Sequence, residues 1–240
     1  MNLPLKKSAT IYHGNALQTN WDDVISKNDL SFILGNPPFV GSRIMSKDQK
    51  SDLKLSFQKL KKTGDLDYVT GWYALASKYI YKTNIKVAFV STNSVVQGLQ
   101  PTILWKYLIN EFGIKIHFAH RTFKWNNEAK GNAAVYCVII GFAAFNIPNK
   151  RLFEYEDIKE EPHELSVKNI NPYLLEGSDI LIERLQEPIC NVPGMHFGNM
   201  PADGGELLFS DSEKNEFLKS EPKAKKYFRR FMGSQEFINN

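Results

Sequence analysis

Leu30-Ser31-Phe32-Ile33-Leu34-Gly35-Asn36-Pro37-Pro38-Phe39 is the stretch on which the reading of this chain turns. The apolar run from Leu30 to Gly35 predicts a short buried strand, and the two prolines end it, because neither can donate to a sheet ladder. Asn-Pro-Pro after a strand is a plain way to stop the strand and open a loop. It is also a way to grip an exocyclic amino group. The Asn36 side-chain oxygen and the Pro37 carbonyl can accept from the two hydrogens of one NH₂, and the prolines fix φ and add no competing N–H. Phe39 can then lie against a flat heterocycle. Two acceptors on one amine draw its lone pair out of conjugation, so the nitrogen becomes nucleophilic without a deprotonating base.

Outward from this stretch the chain alternates helix and strand patterns. Ala9 to His13 reads as a short strand ending in Gly14-Asn15, and Trp21 to Ser26 as a brief helix. Ser46 has the place of an N-cap for a helix over Lys47 to Leu60, with Leu53, Phe57 and Leu60 at helical spacing. A second helix spans Asp67 to Tyr81, with Asp67 as its cap. Lys86 to Ser91 is a nearly all-apolar strand, which implies cover on both faces. Pro101 opens a third helix that Gly113 ends after Phe112. Ile114 to Ala119 and Asn132 to Phe142 are two further strands, the second the longest in the chain, and the polar loop from Thr122 to Gly131 predicts that they pair antiparallel. Near Pro148-Asn149-Lys150 this rhythm gives way to prolines, glycines and short mixed segments. The expectation is an α/β domain over residues 1–148 and the start of a second, mixed α/β domain over residues 149–240.

Composition limits the function classes. With 240 residues, 42% of them hydrophobic, the chain can bury a sizeable core. A net charge of +4 permits nucleic-acid contact but requires that the useful cations be local. The two cysteines, Cys137 and Cys190, lack zinc or redox spacing, and His117 and His120 have no cysteine or carboxylate to complete a metal site, so no metal is expected. No stretch has the apolar length of a membrane span or the form of a secretory signal, which points to the cytoplasm and away from membranes.

Four stretches in order, Gly14-Asn15-Ala16-Leu17, Asn36-Pro37-Pro38-Phe39-Val40-Gly41, Asp67-Tyr68-Val69-Thr70 and Phe123-Lys124-Trp125-Asn126-Asn127-Glu128-Ala129, resemble successive motifs of adenine-N6 DNA methyltransferases. The likeness covers almost the whole chain and is greatest to the MmeI-like group of bacterial restriction–modification proteins, in which nuclease, methyltransferase and target-recognition domains share one polypeptide. It implies a partial Rossmann-like class I methyltransferase sheet with an antiparallel last strand, followed by part of a target-recognition domain. The implied cofactor is S-adenosylmethionine, the partner double-stranded DNA, and the catalytic tetrad Asn36, Pro37, Pro38 and Phe39. Asn15 and Ala16 fall where the family approaches the cofactor adenine. Phe39 with either Phe123 or Trp125 falls where it stacks on a base swung out of the duplex.

The resemblance also marks a gap. Such enzymes hold the methionine end of the cofactor in a glycine-rich turn, and residues 1–35 contain only Gly14 and Gly35. The strands that carry those motifs in the family lie between the Ile11 strand and the tetrad strand. The tetrad strand is therefore expected to be an open edge, to be completed by an N-terminal half, and the isolated fragment is expected to be inactive. Toward the C-terminus, Lys223, Lys225, Lys226, Arg229 and Arg230 crowd among Tyr227, Phe228 and Phe231 and could follow a phosphate backbone, although a solvated helix face has the same pattern. Two other readings stay open: an RNA or protein-glutamine methyltransferase using the same tetrad, and a non-catalytic DNA-binding remnant or subunit.

Overall fold

The computed structural model describes residues 9–60, 62–125, 135–157, 161–185, 187–193, 203–233 and 237–238. The chain forms two compact units, Met1–Arg184 and Leu185–Asn240.

The first unit is built on a six-stranded sheet. Its strands are β1 (Phe32–Gly35), β2 (Lys86–Thr92), β3 (Lys115–Trp125), β4 (Val135–Ala143), β5 (Lys150–Glu154) and β6 (His163–Val167), in the spatial order β1-β2-β4-β3-β5-β6. β1 runs parallel to β2, β4 lies antiparallel between β2 and β3, β5 is parallel to β3, and β6 closes the far edge antiparallel to β5. The expected α/β sheet with an antiparallel late strand is therefore present. Three helices, α1 (Lys47–Ser56), α2 (Thr70–Tyr79) and α3 (Gln100–Phe112), supply the helical layer.

Local chemistry explains these elements. Ser46 and Gln49 form a reciprocal capping box at the start of α1. α3 has Pro101 in its first turn and ends on Gly113 at φ 66°, ψ 27°, the left-handed conformation that glycine adopts without steric cost. Between the layers, the Tyr73 ring stacks on Phe142 at 5.4 Å and meets Phe89 edge-on at 5.3 Å, with Trp105 packed alongside. Each such pair is worth about 0.5–1.5 kcal/mol beyond the area it buries. In β4, Gly141 faces Phe118 of β3, and a Cβ there would lie 2.0 Å from the Phe118 ring.

Some expectations are corrected. Ala9 to His13 forms no strand: Ile11 and Tyr12 are exposed, and among the described residues no neighbouring strand takes the backbone hydrogen bonds. Trp21 to Ser26 is reduced to a 3-10 turn at Trp21–Asp23. α1 stops at Ser56 because Phe57 leaves helical geometry and is buried, and α2 is shorter at both ends than the expected Asp67 to Tyr81. Over the described residues β3 spans 11 residues and β4 spans 9. β3 continues past Ala119 through an irregularity between His120 and Phe123, after which Phe123, Lys124 and Trp125 pair with Cys137, Tyr136 and Val135. Phe123 and Trp125 therefore stand on a strand and not in the expected loop. Residues 126–134, with the rest of that motif and the expected start of β4, lie outside the described residues.

The boundary expected at 148/149 falls inside the first unit. The chain after Pro148 re-enters the sheet as β5 and β6, and the next segment is fastened to it. Lys150, buried in β5, donates to Asn169 Oδ1 at 2.6 Å, and Asn169 Nδ2 and Lys115 Nζ both donate to Asp179 at 2.8 Å. Ile170 and Leu174 are buried, and Thr102 Oγ1 donates to the Ile182 carbonyl at 2.7 Å. A change in composition marks where helices cease, but long-range pairing decides where a compact body ends.

The second unit contains α4 (Asp211–Ser220) and a 3-10 segment at Pro222–Tyr227. Ser210 and Glu213 form a capping box on α4, and Phe209, Phe217 and Phe228 meet with ring centroids 5.2–6.1 Å apart. Asp203 accepts from Gly205 and Leu207 N–H groups at 3.2 and 2.8 Å around Gly204 and Gly205, both at positive φ, which makes a tight turn. Among the described residues no helix is long and apolar enough to cross a membrane.

Candidate active site

β1, β2, β3 and β5 all run in one direction, so their C-terminal ends open on the same edge of the sheet. The tetrad leaves β1 there, Ser94 follows β2, and Phe123 and Trp125 end β3. Ligands of open α/β sheets bind outside such strand ends. Gly35 admits the Phe89 ring so closely that a Cβ would lie 3.0 Å from it, which seats the strand end from which Asn36 projects.

Within the tetrad, Pro37 is buried, Phe39 half-buried, and Asn36 and Pro38 exposed. The Asn36 amide makes no hydrogen bond to any described residue. Its oxygen is therefore open to a ligand and not saturated by neighbouring main chain, which a purely strand-stopping asparagine turned inward would be. The loop beyond is held tightly. Tyr68 N–H donates to the Val40 carbonyl at 2.9 Å, and Asp67 accepts from Ser42 N–H at 2.9 Å and from the Ser94 hydroxyl at 2.5 Å. Asp67 N–H in turn donates to Gln100 Oε1 at 3.0 Å. The expectation that Asp67 caps the second helix is thus corrected: the N-cap of α2 is Val69, without a side-chain cap bond. The Asp67 carboxylate ties the tetrad loop to the segment after β2 instead.

Asn15 sits in a turn whose side-chain oxygen accepts from Leu17 N–H at 3.0 Å, while its Nδ2 donates to Asp52 Oδ2 at 2.8 Å. Asp52, buried in α1, also accepts from Gln18 Nε2 at 2.7 Å and Tyr68 Oη at 3.0 Å. Burial pushes the Asp52 carboxyl up, but the bonds from Gln18, Asn15 and Tyr68 together outweigh it and hold the group below its ordinary value. Tyr68, by burial and by its bond to that carboxylate, is pushed up to about 12 and stays a donor. Ala16 accepts from Trp21 Nε1 at 3.0 Å and lines a cavity of about 360 Å³ with Tyr12, Phe32, Leu34 and Tyr79, beside β1. A larger cleft of about 510 Å³ opens at the other ends of β1 and β2, between Lys27 and Lys86, and contains none of the expected site residues.

The residues present fit part of a nucleoside cofactor. Asn15 Oδ1 keeps a lone pair for an amino group. The sequence has no glycine turn for the remainder of such a molecule.

At the end of β3, Phe123 stacks on Tyr155 at 5.6 Å and is tilted against Trp125 at 6.1 Å. His120 lies flat on Phe153 at 4.1 Å and shares a hydrogen bond with Tyr155 Oη at 2.9 Å; burial and the nearby Arg151 hold its imidazole below the ordinary value. Trp125 is the more open ring, 40% exposed. His117 is buried with Nε2 bonded to the Phe145 carbonyl, and among the described residues no group of three potential metal ligands is assembled. In the second unit, Lys223, Lys225, Lys226, Arg229 and Arg230 are all exposed. Lys226 lies over the Tyr227 ring and Arg229 donates to two carbonyls of its own segment.

Sequence reasoning missed Asp52, Ser42, Ser94 and Tyr155. Only Asp52 had a signal, a carboxylate on the α1 face that also carries Gln49, Leu53 and Ser56.

The strand pair β1 and β2 delivers Asn-Pro-Pro-Phe to a shared strand-end edge, with an antiparallel strand one place further on, the arrangement that the resemblance to methyltransferases implies. The family model for the MmeI DNA-methyltransferase domain matches residues 1–154 and that for the MmeI target recognition domain matches residues 176–240. The chain belongs to the MmeI family of DNA methyltransferases. It is 45% identical over 240 residues to DNA methyltransferase A of Bacillus subtilis (strain 168), covering 99% of this chain and 26% of that protein. Among solved structures it is similar to the Type IIL restriction-modification enzyme MmeI in complex with DNA, with a TM-score of 0.86 and 51% identity over 98% of this chain and 32% of that one. The chain thus spans about a quarter to a third of the length of these relatives.

Proposed function

We propose that this chain supplies the amine-activating half of a site that methylates N6 of adenine in double-stranded DNA, within a restriction–modification protein of the cytoplasm. The observation that carries the reading is the Asn36 amide, exposed and without a partner among the described residues, at the end of a strand whose following loop is held by Asp67 and Tyr68. Asn36 Oδ1 and the Pro37 carbonyl accept the two hydrogens of the adenine amine, and Phe39 lies against the base. Exclusion of water by the base and the aromatic residues at the ends of β3 and β5 strengthens both hydrogen bonds. S-adenosylmethionine supplies the electrophilic methyl group when bound. Asn15 meets the amino group at its adenine end, and an N-terminal half provides the glycine turn and the strands that pair with β1. The exposed basic residues of the second unit follow the DNA backbone.

The test is transfer of labelled methyl from S-adenosylmethionine to duplex DNA by this chain joined to its N-terminal half, with the modified nucleoside identified by mass spectrometry. N6-methyladenine is expected. Label that enters only RNA or a glutamine side chain would overturn the substrate, and salt-sensitive DNA binding with no incorporation would leave a non-catalytic DNA-binding subunit.

A further inference from the structure

One acid of the molecule lies outside the chemistry just proposed, yet three side-chain donors converge on it. Asp52 is 4% exposed and accepts from Asn15 Nδ2, Gln18 Nε2 and Tyr68 Oη at 2.8, 2.7 and 3.0 Å. An ionised carboxylate only accepts, so it can hold an amide by its nitrogen and not by its oxygen. Asparagine has two ends of equal size. With no fixed partner the group can turn over and present NH₂ to a ligand, and two donors facing one another form no bond.

We infer that Asp52 is a positioning residue for cofactor recognition: it takes the Asn15 amide by its nitrogen and so commits Asn15 Oδ1 to accept from an amine, the exocyclic amino group of a purine. The inference rests on the reading above that Asn15 faces the adenine of S-adenosylmethionine. Leu17 N–H occupies one lone pair of Oδ1 and points the oxygen the same way, leaving the second for the ligand. Burial removes the water that would compete for the carboxylate. Tyr68 binds Asp52 through its hydroxyl and Val40 through its backbone N–H, so the same anchor registers the Asn15 turn against the tetrad loop.

Donor counting selects the variant. In Asp52→Asn the oxygen can keep Asn15 and Tyr68, which share Oδ2, and the NH₂ meets Gln18, whose amide can turn over and accept it. Asp52→Leu has no acceptor and releases Asn15.

Calorimetric titration of S-adenosylmethionine into this chain joined to its N-terminal half tests the inference. Asn15→Ala and Asp52→Leu are each expected to weaken binding by about tenfold, the scale of one hydrogen bond between polar groups. The double variant is expected to be no weaker than either single one, because both remove the same interaction. The exchange Asn15→Asp with Asp52→Asn rebuilds the contact with donor and acceptor reversed and is expected to return affinity to within about threefold of the parent. Parent-like binding by folded Asp52→Leu, or losses that multiply in the double variant, would sink the role of Asp52 while methyl transfer by the parent stood. If Asn15→Ala binds normally, the placement of Asn15 at the cofactor fails and takes this inference with it. A parent that binds no S-adenosylmethionine fails the proposed function itself. Should Asp52→Leu not fold, the exchange variant decides: folded and tight supports the inference, folded and tenfold weaker overturns it.

Discussion

At the scale of single residues, exposure and hydrogen bonding separate the aromatic and polar candidates that look alike in sequence. Asn36 has an unengaged amide, so Asn36→Ala is expected to abolish methyl transfer and leave DNA binding within about twofold, because an interaction made at the reacting amine acts on the chemical step. Filter binding and labelled transfer on one preparation check this. Phe123 is packed between Tyr155 and Trp125, whereas Trp125 is 40% exposed. Trp125→Ala is therefore expected to weaken the extrahelical state of the base by about 1–3 kcal/mol, read by fluorescence of 2-aminopurine at the target position. Phe123→Ala is expected to lower the melting temperature instead. If Phe123→Ala alone changes the fluorescence, the two roles are exchanged. Asp52 brings a pH dependence. Its pKa is held below the ordinary carboxylate value of 3.8, so the stability it confers is complete above that value and is lost as pH falls through the lower, folded-state pKa. The stability gap between parent and Asp52→Asn should be widest near neutral pH and close in strong acid, as followed by denaturant unfolding at a series of pH values.

At the scale of elements, β1 and β4 carry the sharpest constraints. Phe32 and Leu34 alternate with Ile33 and are 60% and 77% exposed, so β1 presents bare apolar side chains at the sheet edge, next to the cavity that Ala16 lines. An apolar edge of this kind invites pairing. Gly141 lets the Phe118 ring lie across β4, and a methyl group 2.0 Å from that ring must displace it. Gly141→Ala is expected to cost at least about 1–3 kcal/mol, the range of overpacked cores, and differential scanning calorimetry would show it. Unchanged stability would mean that Phe118 has another seat. The link between α2 and the tetrad loop belongs to this scale too. Asp67 and Tyr68, just before α2, hold Val40, Ser42 and Ser94, so a shift of the helix moves the loop with it.

At the scale of the whole molecule, the proposed function has an N-terminal half add strands at the exposed face and edge of β1. On gel filtration the chain alone is expected to self-associate, and addition of that half to yield a defined one-to-one complex. Leu34→Lys is expected to suppress the self-association and the complex together, because both would use the same apolar edge. A stable monomer that binds S-adenosylmethionine unaided would refute the scheme. In the second unit Lys223, Lys225, Lys226, Arg229 and Arg230 are exposed, and the domain boundary suggested by composition at 148/149 differs from the end of the compact body at Arg184.

How far the sequence could be read depended on the range of the interaction concerned. Helix caps at Ser46 and Gly113, the alternation of strands and helices, and the Asn36-Pro37-Pro38-Phe39 tetrad were legible because they are set by residues a few positions apart, through φ restriction, side-chain capping and periodic burial. Other features required the folded chain. Asp52 lies 37 residues from Asn15, and Asp67 lies 25 from Ser42 and 27 from Ser94. Periodicity within one element does not report which donor a carboxylate meets on another. The full length of β3, the return of β5 and β6 to the sheet and the packing of Phe123 on Tyr155 arise in the same way, from backbone pairing between distant strands. The sequence by itself determined which chemical groups are offered and on what kind of element. Tertiary structure decided which of them meet, because hydrogen bonds and ring contacts act only over a few ångströms and only folding brings distant parts of the chain within that reach.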